Sequence, residues 1–193
     1  YNYKNKNFVF ILILLICLFS TTKYHYRFNE DRKFHDLQGV NFDLSINAKK
    51  LNKSLSGLNW ITAGSFSSNP ENEISFIKDI QKVLNEDKRN KMVMTNYLFF
   101  SFILEEKLYS PSRTFTLDGA SFPIKDSKYF LSYKKFVINI IKKNKISVIY
   151  IIDSEKIDNK FVYNYINKNC FNEVSILTQL KSYELKNCDE ING

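Results

Sequence analysis

Apolar positions along this 193-residue chain first form one unbroken run and then two alternating patterns. The unbroken run, Phe8 to Ser20, reads FVFILILLICLFS, and Asn7, Thr21 and Thr22 extend the uncharged stretch to 16 residues. A membrane-crossing helix takes about 20 residues, with about 17 as the lower limit, so the flanks matter. Tyr1 and Tyr3 precede the run and Tyr24 and Tyr26 follow it, while Lys4, Lys6 and Lys23 can reach outward past its ends. Aromatic and basic anchors at both ends are what an interfacial belt requires. A secretory signal shares the apolar core, but no convincing small-x-small cleavage motif follows. A lipoprotein signal needs a small residue before its cysteine, and Ile16 precedes Cys17. A buried core helix is the remaining alternative. We read residues 1–22 as a transmembrane helix and flank, 23–42 as a juxtamembrane linker and 43–193 as a soluble domain.

Beyond the linker, helical and strand periods alternate. Asp43 is a plausible N-cap, and Leu44, Ala48, Leu51 and Leu55 share one helical face. Leu58 to Ala63 reads as a short strand with Gly64-Ser65 as its exit. Asn69-Pro70 is the clearest helix start: Asn caps, Pro occupies the first turn, and Glu71 and Glu73 suit the positive end of the dipole. Ile74, Ile77, Ile80 and Leu84 continue it as a stripe. Met92 to Thr95 is a second strand and Tyr97 to Leu104 a short buried helix. Thr114–Leu117 and Ala120–Ile124 flank Asp118-Gly119 as a small hairpin, with Pro123 marking an edge strand. Ser127 opens another helix, whose C-terminal lysines suit the dipole. Ile146 to Ile152 is the strongest strand, apolar on both faces and therefore central in a covered sheet. Lys160 to Asn169 reads as a short helix and Glu173 to Leu185 as a last strand. This order predicts an α/β fold: a three-layer domain with a mainly parallel sheet of about four strands.

Composition narrows the classes. Hydrophobic residues make up 44% and charged residues 25%, which excludes a disordered tail. Three cysteines exclude a disulfide-rich scaffold and a four-cysteine zinc site. The net charge of +8 lacks the aromatic-basic interleaving of a nucleic-acid surface, so no nucleic acid is expected; attraction to a lipid bilayer needs fewer assumptions. Basic residues flank the apolar run on both sides, and domains of this length translocate largely regardless of charge, so charge does not set orientation.

Little chemistry is signalled. The chain has no GxxxxGK[ST], GxGxxG or GxSxG. A metal site could be drawn from His25, His35 and Asp36, but a solvated interfacial linker explains those residues as well, and no metal or cofactor is expected. Asn52-Lys53-Ser54 is formally a glycosylation sequon of a kind common by chance. Cys170 and Cys188, 18 apart, could form a disulfide in an oxidising compartment; the alternative is two free thiols. Parallel α/β domains bind ligands at the carboxyl ends of their strands, here Gly64-Ser65, Asn96-Tyr97 and Asp153-Ser154. The ligand-binding candidates are Asn96 and Tyr97 at one such end, with Ser110 and Arg113 on a nearby loop. Arg113 could grip a phosphate or carboxylate with its planar fork; Glu105 or Glu106 could satisfy it equally well.

The blocks YHYRFNEDRKFHDL, LSGLNWIT, NKMVMTNYLFF, SPSRTF, KYFLSYKKFVI and ISVIYII follow the hydrophobic helix in that order. In order and spacing they resemble the extracytoplasmic C-terminal region of bacterial polytopic GT-C-like glycosyltransferases, the dolichyl-phosphate-mannose-protein mannosyltransferase-like group. The resemblance runs from the helix to about Asp153. It implies that the chain, which opens at Tyr1, is a fragment of a larger inner-membrane enzyme with its soluble domain in the periplasm. Its partners would be the bilayer, the rest of the polytopic protein and a polyprenyl-phosphate sugar or acceptor. The family's catalytic carboxylates lie in an early extracytoplasmic loop with no counterpart here, so no catalytic residue is carried over. The function expected is that of an accessory domain. A single-pass membrane-anchored α/β enzyme and a non-catalytic interaction module are the alternatives.

Overall fold

The computed structural model describes residues 6–27, 40–62, 69–95, 97, 99–112, 122–152 and 160–188. Helix α1, Lys6–His25, has no buried residue. Twenty residues rise about 30 Å, the thickness of a bilayer's hydrocarbon core. The helix is long and apolar enough to serve as a membrane anchor or a signal sequence.

Residues 43–55 do not form the helix that their leucine spacing predicts. Three single-turn 3-10 helices take its place, Phe42–Leu44, Ala48–Lys50 and Lys53–Leu55, with strand β1, Ile46–Asn47, between the first two. Each turn opens on an asparagine. The side-chain oxygens of Asn41, Asn47 and Asn52 accept from the backbone N–H groups of Asp43, Lys49 and Ser54 at 2.8–2.9 Å. A side chain that closes onto the backbone two residues ahead competes with a continuous helix. Ala48 and Leu51 still reach the interior, but Leu44 is exposed. Strand β2 is only Asn59–Trp60, shorter than the predicted Leu58–Ala63, and pairs with β1 in a separate two-stranded sheet.

Helix α2, Pro70–Glu86, follows the sequence signals closely. The Asn69 side chain accepts from the Glu71 N–H at 2.9 Å, and Ile74, Ile77, Ile80 and Leu84 are all buried. The stripe packs on a four-stranded sheet of β3 (Lys91–Met94), β4 (Val148–Ile152), β5 (Phe171–Leu177) and β6 (Leu180–Leu185), in the order β3-β4-β6-β5. Only β3 and β4 are parallel; β6 runs antiparallel to both β4 and β5. The sheet is therefore mixed, not mainly parallel as expected. The error lies in the segment Glu173–Leu185, read as one strand. It is part of a hairpin turned at Thr178-Gln179, a pair without the Gly, Asn, Asp or Pro that usually announces a turn.

Side chains alternate across β3 and β4. Val93, Val148, Tyr150 and Ile152 face α2 and the short helix α3, Phe100–Ile103. Met92, Met94, Ile149 and Ile151 face α4, Phe130–Lys143, and α5, Lys160–Tyr165. Helices thus cover both faces, and all five residues of β4 are buried, as its apolar character requires. Helix α4 starts three residues after Ser127, whose hydroxyl accepts from the Tyr129 N–H at 3.3 Å ahead of it. Its C-terminus is a Schellman motif: Lys145 N–H donates to Lys142 O and Ile146 N–H to Ile141 O, with Lys145 at φ 48°. The Lys160–Asn169 helix divides into α5 and a 3-10 turn over Lys168–Cys170. Phe122, Pro123 and Ile124 form no strand, and the rest of the Asp-Gly hairpin lies largely outside the described residues.

Candidate functional site at the carboxyl edge of the parallel pair

The parallel pair β3 and β4 defines the edge at which an α/β sheet opens toward ligands. The Thr178-Gln179 turn lies at the same edge, because Leu180 pairs with Ile152, the last residue of β4. Helix α2 runs back from this edge. Glu73, in its first turns, shares the buried face with Ile77 and Ile80 and is itself buried.

A buried carboxylate requires donors, and Glu73 has three. Its Oε2 accepts from Trp60 Nε1 at 2.7 Å and Thr62 Oγ1 at 2.6 Å. Its Oε1 accepts from the Tyr97 hydroxyl at 2.9 Å. Among the described residues no cation pairs with it. Burial, reinforced by the Glu73 charge and hydrogen bond, pushes the Tyr97 phenol well above its ordinary value. The aromatic rings assemble around this point: Trp60 lies 5.5 Å from Phe99, and Tyr97 lies 5.6 Å from Phe99, 6.1 Å from Phe100 and 6.5 Å from Phe76. Three neutral donors occupy the carboxylate. It joins the β1–β2 sheet, α2 and the exit of β3 into one unit and holds an aromatic floor at the edge.

Beside that floor is a groove of about 460 Å³, between α2 and the β5–β6 turn. Phe76 and Leu177 supply its apolar side, and Asn72, Ser75, Asp79, Thr178 and Gln179 its polar side. The side chains of Asn72, Ser75, Asp79 and Gln179 form no hydrogen bond with a described residue.

Of the four ligand candidates from sequence, Tyr97 sits at this centre. Ser110 does not join it: its hydroxyl donates to the Ser112 carbonyl at 2.6 Å, within its own loop. Asn96 and Arg113 lie outside the described residues, as do Gly64-Ser65 and Asp153-Ser154. Glu106, one proposed partner for Arg113, accepts from Lys91 at 2.6 Å, whose side chain is fully buried. His25 closes α1, and His35 and Asp36, the other two residues of the drawn metal triad, lie outside the described residues. Among the described residues, no three His, Cys, Asp or Glu side chains gather as metal ligands. Sequence reasoning missed Glu73 as more than a dipole residue. Its signal was its register with Ile77 and Ile80 on the apolar stripe.

Two other centres are structural. At the opposite edge, burial alone would raise the Asp87 carboxyl, but hydrogen bonds from Arg89 and Tyr150 overcome it and hold the pKa at about 2. Arg89 also reaches Glu184 at 3.1 Å. Near the C-terminus, Cys170 and Cys188 are joined in a disulfide with a Cα–Cα distance of 5.6 Å.

No family model, curated protein or solved structure matches the chain. The edge must therefore be interpreted from its own chemistry.

Proposed function

We propose that the chain is the C-terminal accessory region of an integral-membrane glycosyltransferase using a polyprenyl-phosphate-linked sugar, with α1 as its anchor. One observation carries the membrane part of this reading: an apolar helix of crossing length with no buried residue, followed by a folded α/β domain. The order of the sequence blocks motivates the transferase part. The groove supports it as well, since an aromatic ring flanked by amide, hydroxyl and carboxylate groups suits a hydroxyl-rich ligand. The Cys170–Cys188 bond favours a domain outside the reducing cytoplasm. Asn96 and Arg113 remain proposed ligand contacts, and no residue is assigned a catalytic role. The same groove also favours a second reading, a single-pass anchored α/β protein with a ligand site of its own.

The test uses full-length protein in native membranes supplied with a polyprenyl-phosphate sugar. Transfer is expected, with Asp79→Ala raising KM for the acceptor while the folded protein persists. Arg113→Lys should also weaken transfer if Arg113 grips phosphate, since Lys lacks the bidentate fork. Absence of transfer with all such donors would overturn the transferase reading. For orientation, a cysteine replacing exposed Lys49 should react with an impermeant maleimide in intact spheroplasts; reaction only after lysis would reverse the orientation.

A further inference from the structure

We infer that the free side of strand β5 pairs with β5 of a second copy of this chain, about a two-fold axis at Val174. The two outer strands of the sheet differ. At β3, the Val93 N–H donates to the Leu108 carbonyl at 3.0 Å, so the stretch after α3 covers part of that strand. At β5 no described residue does the same. Which groups point outward follows from the end of β6. The Leu185 N–H donates toward β4, to Ser147 O, and the Lys186 N–H donates toward β5, to Cys170 O. Backbone direction alternates along a strand, so Ser182 and Glu184 face β5, and their partners Val174 and Asn172 face β6 in return. The N–H and C=O groups of Glu173 and Ser175 therefore point away from the sheet. Outer strands are usually protected by lysine, proline, a bulge or a covering segment. Phe171 to Ser175 has neither lysine nor proline, and the bulge lies beyond it, between Ser175 and Leu177. Val174 is 45% exposed and Ile176 36%. The Cys170–Cys188 bond closes the open end of the hairpin, so β5 stays fastened to β6 as a fixed template.

Register makes a second copy the occupant. In an antiparallel pair of β5 strands centred on Val174, Glu173 of each copy meets Ser175 of the other, and outward groups exchange hydrogen bonds with outward groups. The two Val174 side chains meet at the close position between them. Each carboxylate faces a hydroxyl: Glu173 accepts from Lys181 at 2.9 Å and from Tyr163, and Ser175 lies on the same side of the strand with its hydroxyl unpartnered among the described residues. Centring on Glu173 instead sets two carboxylates against each other. Centring on Ser175 sets Glu173 against Leu177, past the bulge and paired with Leu180 at the turn. A two-fold pairing about Val174 also closes, because the joined sheet then ends on β3 at both sides. One seam of this length is small for a stable soluble dimer, but two copies held by α1 in one bilayer meet at high effective concentration. That enhancement rests on α1 being a membrane anchor; the seam does not.

The full chain carrying Cys17→Ser and Val174→Cys is reconstituted into phosphatidylcholine vesicles at low protein density. A short bismaleimide then bridges neighbouring thiols and leaves the native disulfide intact. In the seam the two Cα atoms at position 174 lie about 4.5 Å apart, so the expected product is a dimer whose linked peptide joins position 174 to itself. Asn172→Cys in place of Val174→Cys should link about tenfold less, because the two copies of residue 172 are offset by about 14 Å along the seam. Ser175→Pro added to Val174→Cys removes an outward N–H where a sheet tolerates proline, and should cut linkage by about tenfold. Ser175→Glu, which sets carboxylates across the seam, serves if the proline variant does not fold. Absence of linkage at 174 would overturn the inference. So would equal linkage at 172 and 174, or linkage that survives the change at Ser175. Resistance to alkaline extraction reports α1 insertion separately. An extracted chain that still links at 174 would remove the anchor and leave the seam standing, and an inserted chain that does not link would remove the seam alone.

Discussion

Helix α2 begins and ends on a carboxylate that accepts from a tyrosine, and the two sites differ in how the rest of the charge is met. Among the described residues, the donors to Glu73 are all neutral: an indole, a hydroxyl and a phenol. Asp87 has Arg89, which grips it through Nε and Nη2, together with the Tyr150 hydroxyl. The first lies at the carboxyl edge of the parallel pair beside a groove, the second at the amino edge where the sheet turns back. A guanidinium clamp holds its geometry without further help. A carboxylate held by neutral groups depends on dry surroundings, and it keeps the aromatic floor of the groove in place. The contrast separates an edge closed by an ion pair from an edge that carries an open groove.

The largest break comes from Glu73→Ala. Three buried or half-buried donors lose their acceptor together, which costs about 3 kcal/mol in chemical denaturation. Loss of less than half of that would show that water replaces the carboxylate. Arg89→Ala, by contrast, leaves Asp87 with Tyr150 and the backbone and removes a partly exposed arm, so a cost of about 1.5 kcal/mol is expected.

Acid sharpens the comparison further. The Asp87 pKa is depressed to about 2, below its unfolded value near 3.8. Between those values the unfolded chain binds the proton more readily. The stabilisation is therefore complete above about pH 4 and is lost as the pH falls through about 2, amounting to about 1 kcal/mol after allowance for solvent screening. Asp87→Asn should flatten that part of a stability-against-pH curve; an unchanged curve would assign the acid sensitivity elsewhere. The smallest effect is a coupling. Residues 73 and 87 lie about 21 Å apart along the helix, and their sites share no partner. Glu73→Gln and Asp87→Asn should thus add within about 0.5 kcal/mol.

What the sequence made legible follows from the range of the interactions involved. Helix α2 could be read because its cap, its proline and its stripe lie within one stretch of chain. The central strand β4 could be read because burial on both faces leaves an unbroken apolar run. Residues 43–55 misled because the leucine spacing was helical while Asn41, Asn47 and Asn52 each closed a local turn. The mixed sheet was hidden in Thr178-Gln179, where two ordinary residues reverse the chain. At the candidate site, the position of Tyr97 was legible from its place after β3. Glu73 was not, because its donors sit 11, 13 and 24 residues away, and only the tertiary fold unites them.

The Cys170–Cys188 bond has a mechanical consequence. It closes a covalent ring around β5 and β6, with Cys170 just before one strand and Cys188 just after the other. Tension on the chain beyond Cys188 passes through the sulfurs to Cys170 and on to the turn behind α5. The hairpin is bypassed and carries none of the load. Single-molecule pulling should therefore release the ring's contour length only after reduction.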